Sequence, residues 1–112
     1  MKMTVTPVTD DVKKVTLAGD MDLDGATKID VGFAAVAGNT DKIMVDLSEV
    51  GFLASIGIRT LLVNAKTVQR RGGNMVVVNP QPMVEKVLRT SSIDQFIAIY
   101  PNADEALAAL TA

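Results

Sequence analysis

Ser55, Gly57 and Arg59 lie within five positions of one another in FLASIGIRTLL (52–62), a grouping suited to phosphate chemistry at a helix start. From Ile58 onward the apolar residues recur at helical spacing, which predicts a helix opening near Ser55. A serine there has two uses. As an N-cap, its oxygen accepts a hydrogen bond from a backbone N–H two or three residues on, worth about 1 kcal/mol. As an exposed phosphoacceptor, it brings a phosphate to the positive end of the helix dipole. Arg59, one turn on, shares that helix face and is placed to reach such a phosphate. Gly57 costs about 1 kcal/mol in a helix interior, so something must approach this turn closely. That neighbour is either the underlying sheet or a partner. Ile56 is apolar at an exposed helix start and is costly to solvate unless covered.

An acidic group belongs to the same discussion. Asp22 closes GDMD (19–22), a stretch that reads as a loop, and it either caps the following helix, as Asp24 also could, or faces the region of Ser55. Met21 beside it is expected to be exposed and to help bind, whereas the other methionines read as core fillers. Asp46-Leu47-Ser48 reads as a strand end with a hydrogen-bonded turn, Arg70-Arg71 as a solvated helix end, and Lys86 and Arg89 as surface.

Composition removes most other chemistry. The chain has no cysteine and no histidine, which excludes thiol nucleophiles, a Ser-His-Asp triad, the usual zinc sites and a phosphohistidine. No G-x-x-x-x-G-K-[ST] loop is present. An enzyme is therefore not expected, and neither are catalytic residues, a metal or a cofactor. A net charge of −2 and 4% aromatic residues argue against direct nucleic-acid binding. The longest mostly apolar run, VGFAAVAG (31–38), is too short to insert in a membrane, and MKMTVTPVTDD has no signal-peptide core, so a cytoplasmic protein is expected.

The positioning elements follow from periodicity. At 112 residues the chain is the size of one domain, residues 1–112. Met3 and Val5 suggest an edge strand limited by Pro7, hairpinned to an alternating strand over Val12–Ala18. Gly19–Asp24 reads as a loop. Ala26, Ile29, Phe33 and Val36 mark a helix stopped by Gly38-Asn39. Ile43–Leu47 lacks alternation, as a strand buried on both faces does. Ser48–Ser55 reads as a loop leading into the helix lined by Ile58, Leu61, Leu62, Ala65 and Val68 and stopped by Gly72-Gly73. Met75–Val78 is another buried strand. Asn79–Pro82 is a turn with Pro82 at a first helical position, followed by a short helix through Met83, Val84, Val87 and Leu88. Ile97–Tyr100 is a last strand, and Asn102 with Glu105 resembles a capping box before a C-terminal helix. The order β-β-α-β-α-β-α-β-α predicts an α/β fold with a mixed, mostly parallel sheet of four to five strands and about four helices. Its functional loops should gather beyond the carboxyl ends of the strands, where Gly19–Asp24, Ser48–Ser55 and Asn79–Pro82 meet.

VDLSEVGFLASIGIRTLL (45–62) resembles the signature segment of the STAS domain, most closely that of the bacterial anti-sigma factor antagonists. The pattern is an apolar strand ending in D-L-S, a loop with an aromatic, then a serine, a glycine and an amphipathic helix. GDMD (19–22) is similar to the family's G-x-x-D loop, and the element order matches along nearly the whole chain. The resemblance implies a STAS-like domain and a partner-switching regulator of transcription. The unphosphorylated protein binds an anti-sigma factor that is also a serine kinase, and so releases a sigma factor. The kinase then phosphorylates Ser55 and dissociates, and a PP2C-type phosphatase resets the phosphorylated form. On this likeness Ser55 is the phosphoacceptor, and Asp22, Met21, Ile56, Gly57 and Arg59 surround it as partner-binding residues. Two positions depart from the common pattern. Ala54 stands where many members carry aspartate, and Ile56 where many carry a second small residue. The same fold also serves as a cytoplasmic subunit of membrane transporters such as lipid-transport ATPases, in which case Ser55 is a cap or contact residue.

Overall fold

The computed structural model describes residues 1–112. Two strands open the chain, β1 (Lys2–Pro7) and β2 (Val12–Met21), followed by α1 (Leu23–Asn39), β3 (Lys42–Leu53) and α2 (Ser55–Arg70). Then come β4 (Asn74–Val78), α3 (Pro82–Thr90), a 3₁₀ turn at Ile93–Gln95, β5 (Ile99–Tyr100) and α4 (Ala103–Thr111). The five strands lie side by side in chain order. β1 runs antiparallel to β2, and the β2–β3, β3–β4 and β4–β5 pairs are parallel. Pro7, which has no N–H for a ladder, ends the outermost strand, where it does least harm.

Two apolar clusters fix the layers. The larger joins Ile29 and Phe33 of α1, Leu61, Ala65 and Val68 of α2 and Val84 and Leu88 of α3 to Val15, Leu17, Val45, Leu47 and Val77 of the sheet. The smaller joins Ala106 and Leu110 of α4 to Val12, Met44, Val76 and Val78. Three helices therefore cover one face of the sheet, and α4 alone covers the other. Alternation explains the sorting, since Met44 and Val76 point opposite to Val45 and Val77 along the same strands. The lack of alternation in Ile43–Leu47 and Met75–Val78 has the expected cause: both strands are covered on both sides.

β2 and β3 are longer than the sequence suggests. The stretches 19–21 and 48–53, expected as loops, continue as a parallel pair, with Ala18 opposite Glu49, Gly19 opposite Val50, Asp20 opposite Phe52 and Met21 opposite Leu53. β4 stops at Val78 opposite Asp46, so this pair runs on past the rest of the sheet. Two register shifts, between Thr16 and Ala18 and between Gly19 and Asp20, break the two-residue alternation and hid the strand behind glycine and acidic residues. β5 is shorter than expected, because the 3₁₀ turn brings in the chain before it and leaves Ile97 buried outside the strand. At α4, Asn102 Oδ1 accepts from Glu105 N–H at 2.9 Å, and Asn102 Nδ2 donates to Glu105 Oε2 at 3.0 Å. The Glu105 side chain thus reaches the Asn102 side chain, not its backbone N–H as in a capping box.

Candidate functional site

β2 and β3 each turn into a helix through a single residue. Asp22 links β2 to α1 and Ala54 links β3 to α2. The last strand residues, Met21 and Leu53, are paired, and Ala54 N–H donates to Met21 O at 3.1 Å. The two helix starts therefore lie side by side at the carboxyl ends of adjacent parallel strands.

They differ in their caps. Asp22 Oδ1 accepts from Gly25 N–H at 2.8 Å and holds the first turn of α1. Ala54 has no side-chain acceptor, and α2 carries no side-chain cap. Gly57 and Ile58 N–H both donate to the Ala54 carbonyl, at 2.9 and 3.1 Å, while Ser55 and Ile56 N–H find no acceptor within the chain. Of the two uses open to Ser55, the cap is thus set aside: Ser55 is the first residue of the helix proper, and it is exposed. Asp22, half-buried, is the α1 cap.

Gly57 is buried, and the close approach it permits is to the sheet. A Cβ at this position would sit 2.6 Å from Leu53 Cδ1, 2.7 Å from Met21 Cγ and 2.9 Å from Met21 O. The expectation of an exposed Met21 is overturned for the same reason. Met21 faces the larger core and is fully buried against the first turn of α2. The methionine that is exposed is Met83, at 72%, on α3. Gly57 and Met21 set the height at which α2 begins and so hold Ser55 at the surface.

Ile56 is half-buried and Arg59 exposed, and both line a groove of about 310 Å³ between α1 and α2 together with Ala26, Asp30 and Thr60. Arg59 makes no ion pair within the chain. Two apolar residues not singled out from sequence complete the surface: Leu23, first residue of α1, is 67% exposed, and Phe52, near the end of β3, is 51% exposed. Both lay in stretches read as loops, where exposure carries no signal; a β-bulge pattern in 49–53 would have drawn attention to Phe52.

Away from this end, the turn expected at Asp46-Leu47-Ser48 is absent, because β3 runs through these residues; Ser48 N–H donates to Asp46 Oδ1 at 2.9 Å within the strand, and Gln81 Nε2 donates to Ser48 O at 2.9 Å. Arg71 pairs with Asp41 at 3.1 Å, and Arg89 with Glu85 at 2.9 Å. No group of three His, Cys, Asp or Glu side chains comes together as a metal cluster, and no helix is long and apolar enough to cross a membrane.

Comparison with known proteins gives the arrangement a family. A TM1081 homolog of Thermotoga neapolitana is 33% identical over 67 residues, which cover 60% of this chain and 59% of that protein. The crystal structure of an anti-sigma factor antagonist from Mycobacterium paratuberculosis superposes with a TM-score of 0.90 at 25% identity, covering 99% of this chain and 94% of that one. The Bacillus cell fate determinant SpoIIAA, in its phosphorylated form, shares the fold with a TM-score of 0.73 at 19% identity, covering 96% of this chain and 97% of that one. Residues 3–106 match the sequence profile of the STAS domain, and with the five-stranded sheet and four helices in place, the chain belongs to the STAS domain family.

Proposed function

We propose that this protein is an anti-sigma factor antagonist switched by phosphorylation of Ser55. In its unmodified form it binds an anti-sigma factor that is a serine kinase, and the sigma factor is released. Phosphate on Ser55 ends the binding, and a PP2C-type phosphatase restores it. The observation that carries this reading is the position of Ser55: exposed, first in an uncapped helix, and flanked in sequence by Ile56 and Phe52. The kinship with a mycobacterial anti-sigma factor antagonist supports the partner class, and the phosphorylated SpoIIAA supports a fold that tolerates the modification.

The geometry supplies a mechanism. Phosphate adds about −1.5 to −2 charges at neutral pH. Within the protein this charge would be tolerated, because it would meet the unpaired N–H groups of Ser55 and Ile56 and the positive end of the helix dipole, with Arg59 one turn further along α2. Against a partner it is not, since burying an unmatched charge costs several kcal/mol. At roughly 1.4 kcal/mol per tenfold, a cost of about 3 kcal/mol weakens a complex on the order of 100-fold. Asp22 and Gly57 contribute by holding the two helix starts, and Met21 by supporting Gly57 from below. Ile56 and Arg59 face the partner.

The test uses purified anti-sigma factor kinases encoded in the same genome. Incubation with ATP and magnesium, followed by peptide mass spectrometry, should place one phosphate on Ser55, and titration calorimetry should show binding to the unmodified protein that Ser55→Asp weakens strongly. Unchanged binding by Ser55→Asp overturns the switch. Co-purification with a membrane transport ATPase and no phosphate would instead support the role of a transporter subunit.

A further inference from the structure

The register shift at the end of β3 has an effect on the surface. Gly19 pairs with Val50 but Asp20 with Phe52, so Gly51 is an extra residue in β3. Val50 and Leu53 both turn into the larger core, and the two residues between them share the opposite face. The Asp20 carboxylate lies over that face, with Oδ1 4.0 Å from where a Gly51 Cβ would stand. Glu49, one residue before Val50 on the same strand, is exposed there as well. α4 is the only helix on this side, and it packs on Val12, Met44, Val76 and Val78, toward the other end of the strands. Phe52 is therefore left 51% exposed on an uncovered strip of sheet, three residues from Ser55.

The charges beside it on this face are mostly negative: Asp20 and Glu49 stand against a single cation, Lys2 of β1, which lies in the same cross-strand row as Ala18 and Glu49. Segments 18–24 and 48–59 contain Asp20, Asp22, Asp24 and Glu49, and Arg59 is their only cation. A half-exposed aromatic beside carboxylates fits a partner surface with an apolar pocket bordered by lysine or arginine, since aromatic anchors dominate binding energy and rim charges select the partner. We infer that Phe52 is the apolar anchor of the docking surface, and that the protein bound there presents a basic-rimmed apolar pocket to Phe52, Asp20 and Glu49. The inference rests on the proposed function for the identity of the partner, and it extends the interface from the helix starts onto the open sheet face.

The experiment is calorimetric titration of the anti-sigma factor kinase found in the Ser55 test against three variants. Phe52→Ala should bind about tenfold more weakly or worse. Phe96→Ala, which removes an aromatic of similar exposure whose carbonyl is bonded to Gln69 near the far end of α2, should bind as wild type. Asp20→Asn combined with Glu49→Gln should bind about three- to tenfold more weakly at low salt, with the difference shrinking as salt rises. Hydrogen exchange on the wild-type complex should show protection of residues 49–53, a readout independent of how the variants fold. Binding of Phe52→Ala within twofold of wild type, or no protection at 49–53, overturns the inference while phosphate-dependent release leaves the proposed function standing. If no anti-sigma factor binds the wild-type protein, both fall together.

Discussion

Replacing Ala54 with aspartate should stabilise the protein, and the adjacent helix start supplies the calibration. Asp22 and Ala54 occupy equivalent places and have nearly the same extended backbone, φ −95°, ψ −168° and φ −88°, ψ 170°. At α1 the carboxylate accepts from the N–H three residues on; at α2 the corresponding N–H belongs to Gly57, which a carboxylate at position 54 would reach without strain. A cap contributes about 1 kcal/mol, and a negative charge at the helix start adds a few tenths more. Repulsion from Asp22 removes part of this at low salt and little at physiological salt. With an unfolding entropy of about 2.1 cal/mol/K per residue, each kcal/mol shifts the melting temperature of a chain this size by about 4 °C. Ala54→Asp should therefore raise Tm by about 4–6 °C, and Asp22→Ala should lower it by about 4 °C. Thermal unfolding followed by circular dichroism in 0.15 M salt measures both. If Ala54→Asp melts at or below wild type while Asp22→Ala is destabilised, the equivalence of the two starts is wrong, and a contact other than the cap governs position 54.

Three further outcomes follow from single contacts. Gly57→Ala gains about 1 kcal/mol of helix propensity but forces a methyl into Leu53, Met21 and the Met21 carbonyl, an overlap that costs about 1–3 kcal/mol; denaturant unfolding should show a net loss of about 1 kcal/mol. Thr40, 5% exposed, buries a hydroxyl with no hydrogen-bond partner, so Thr40→Val, of nearly the same shape, should stabilise by about 1 kcal/mol in the same assay. Asp11 has its carboxyl pKa lowered, first by its hydrogen bond with Lys42 at 3.3 Å and then by that from Thr9 Oγ1 at 3.1 Å. A depressed carboxylate stabilises the fold above its unfolded pKa, and this support is lost as pH falls through the folded one. NMR titration of Lys42→Met should move the Asp11 transition upward toward the ordinary carboxylate value.

For the proposed switch, the two helix starts have different consequences. The start of α1 is held by its own Asp22 cap. An uncapped α2 leaves its first N–H groups open beside the hydroxyl of Ser55, the proposed phosphoacceptor. The alanine at 54 thus costs some stability and leaves that turn open to a phosphate on Ser55.

The alternation of apolar strands and amphipathic helices, with glycine pairs and prolines between them, determined from the chain alone that this is an α/β protein with a largely parallel sheet. It also set the start of α2 at Ser55 and the close approach at Gly57, because periodicity and the cost of glycine in a helix are local properties. Only the tertiary structure decided what approaches Gly57, which helix start is capped, and that Met21 is buried while Phe52 and Leu23 are not. These depend on which strand lies beside which and in what register. A bulge of one residue sends Phe52 to the open face and Leu53 to the core, and one-dimensional spacing does not reveal a shift that exists only between paired strands.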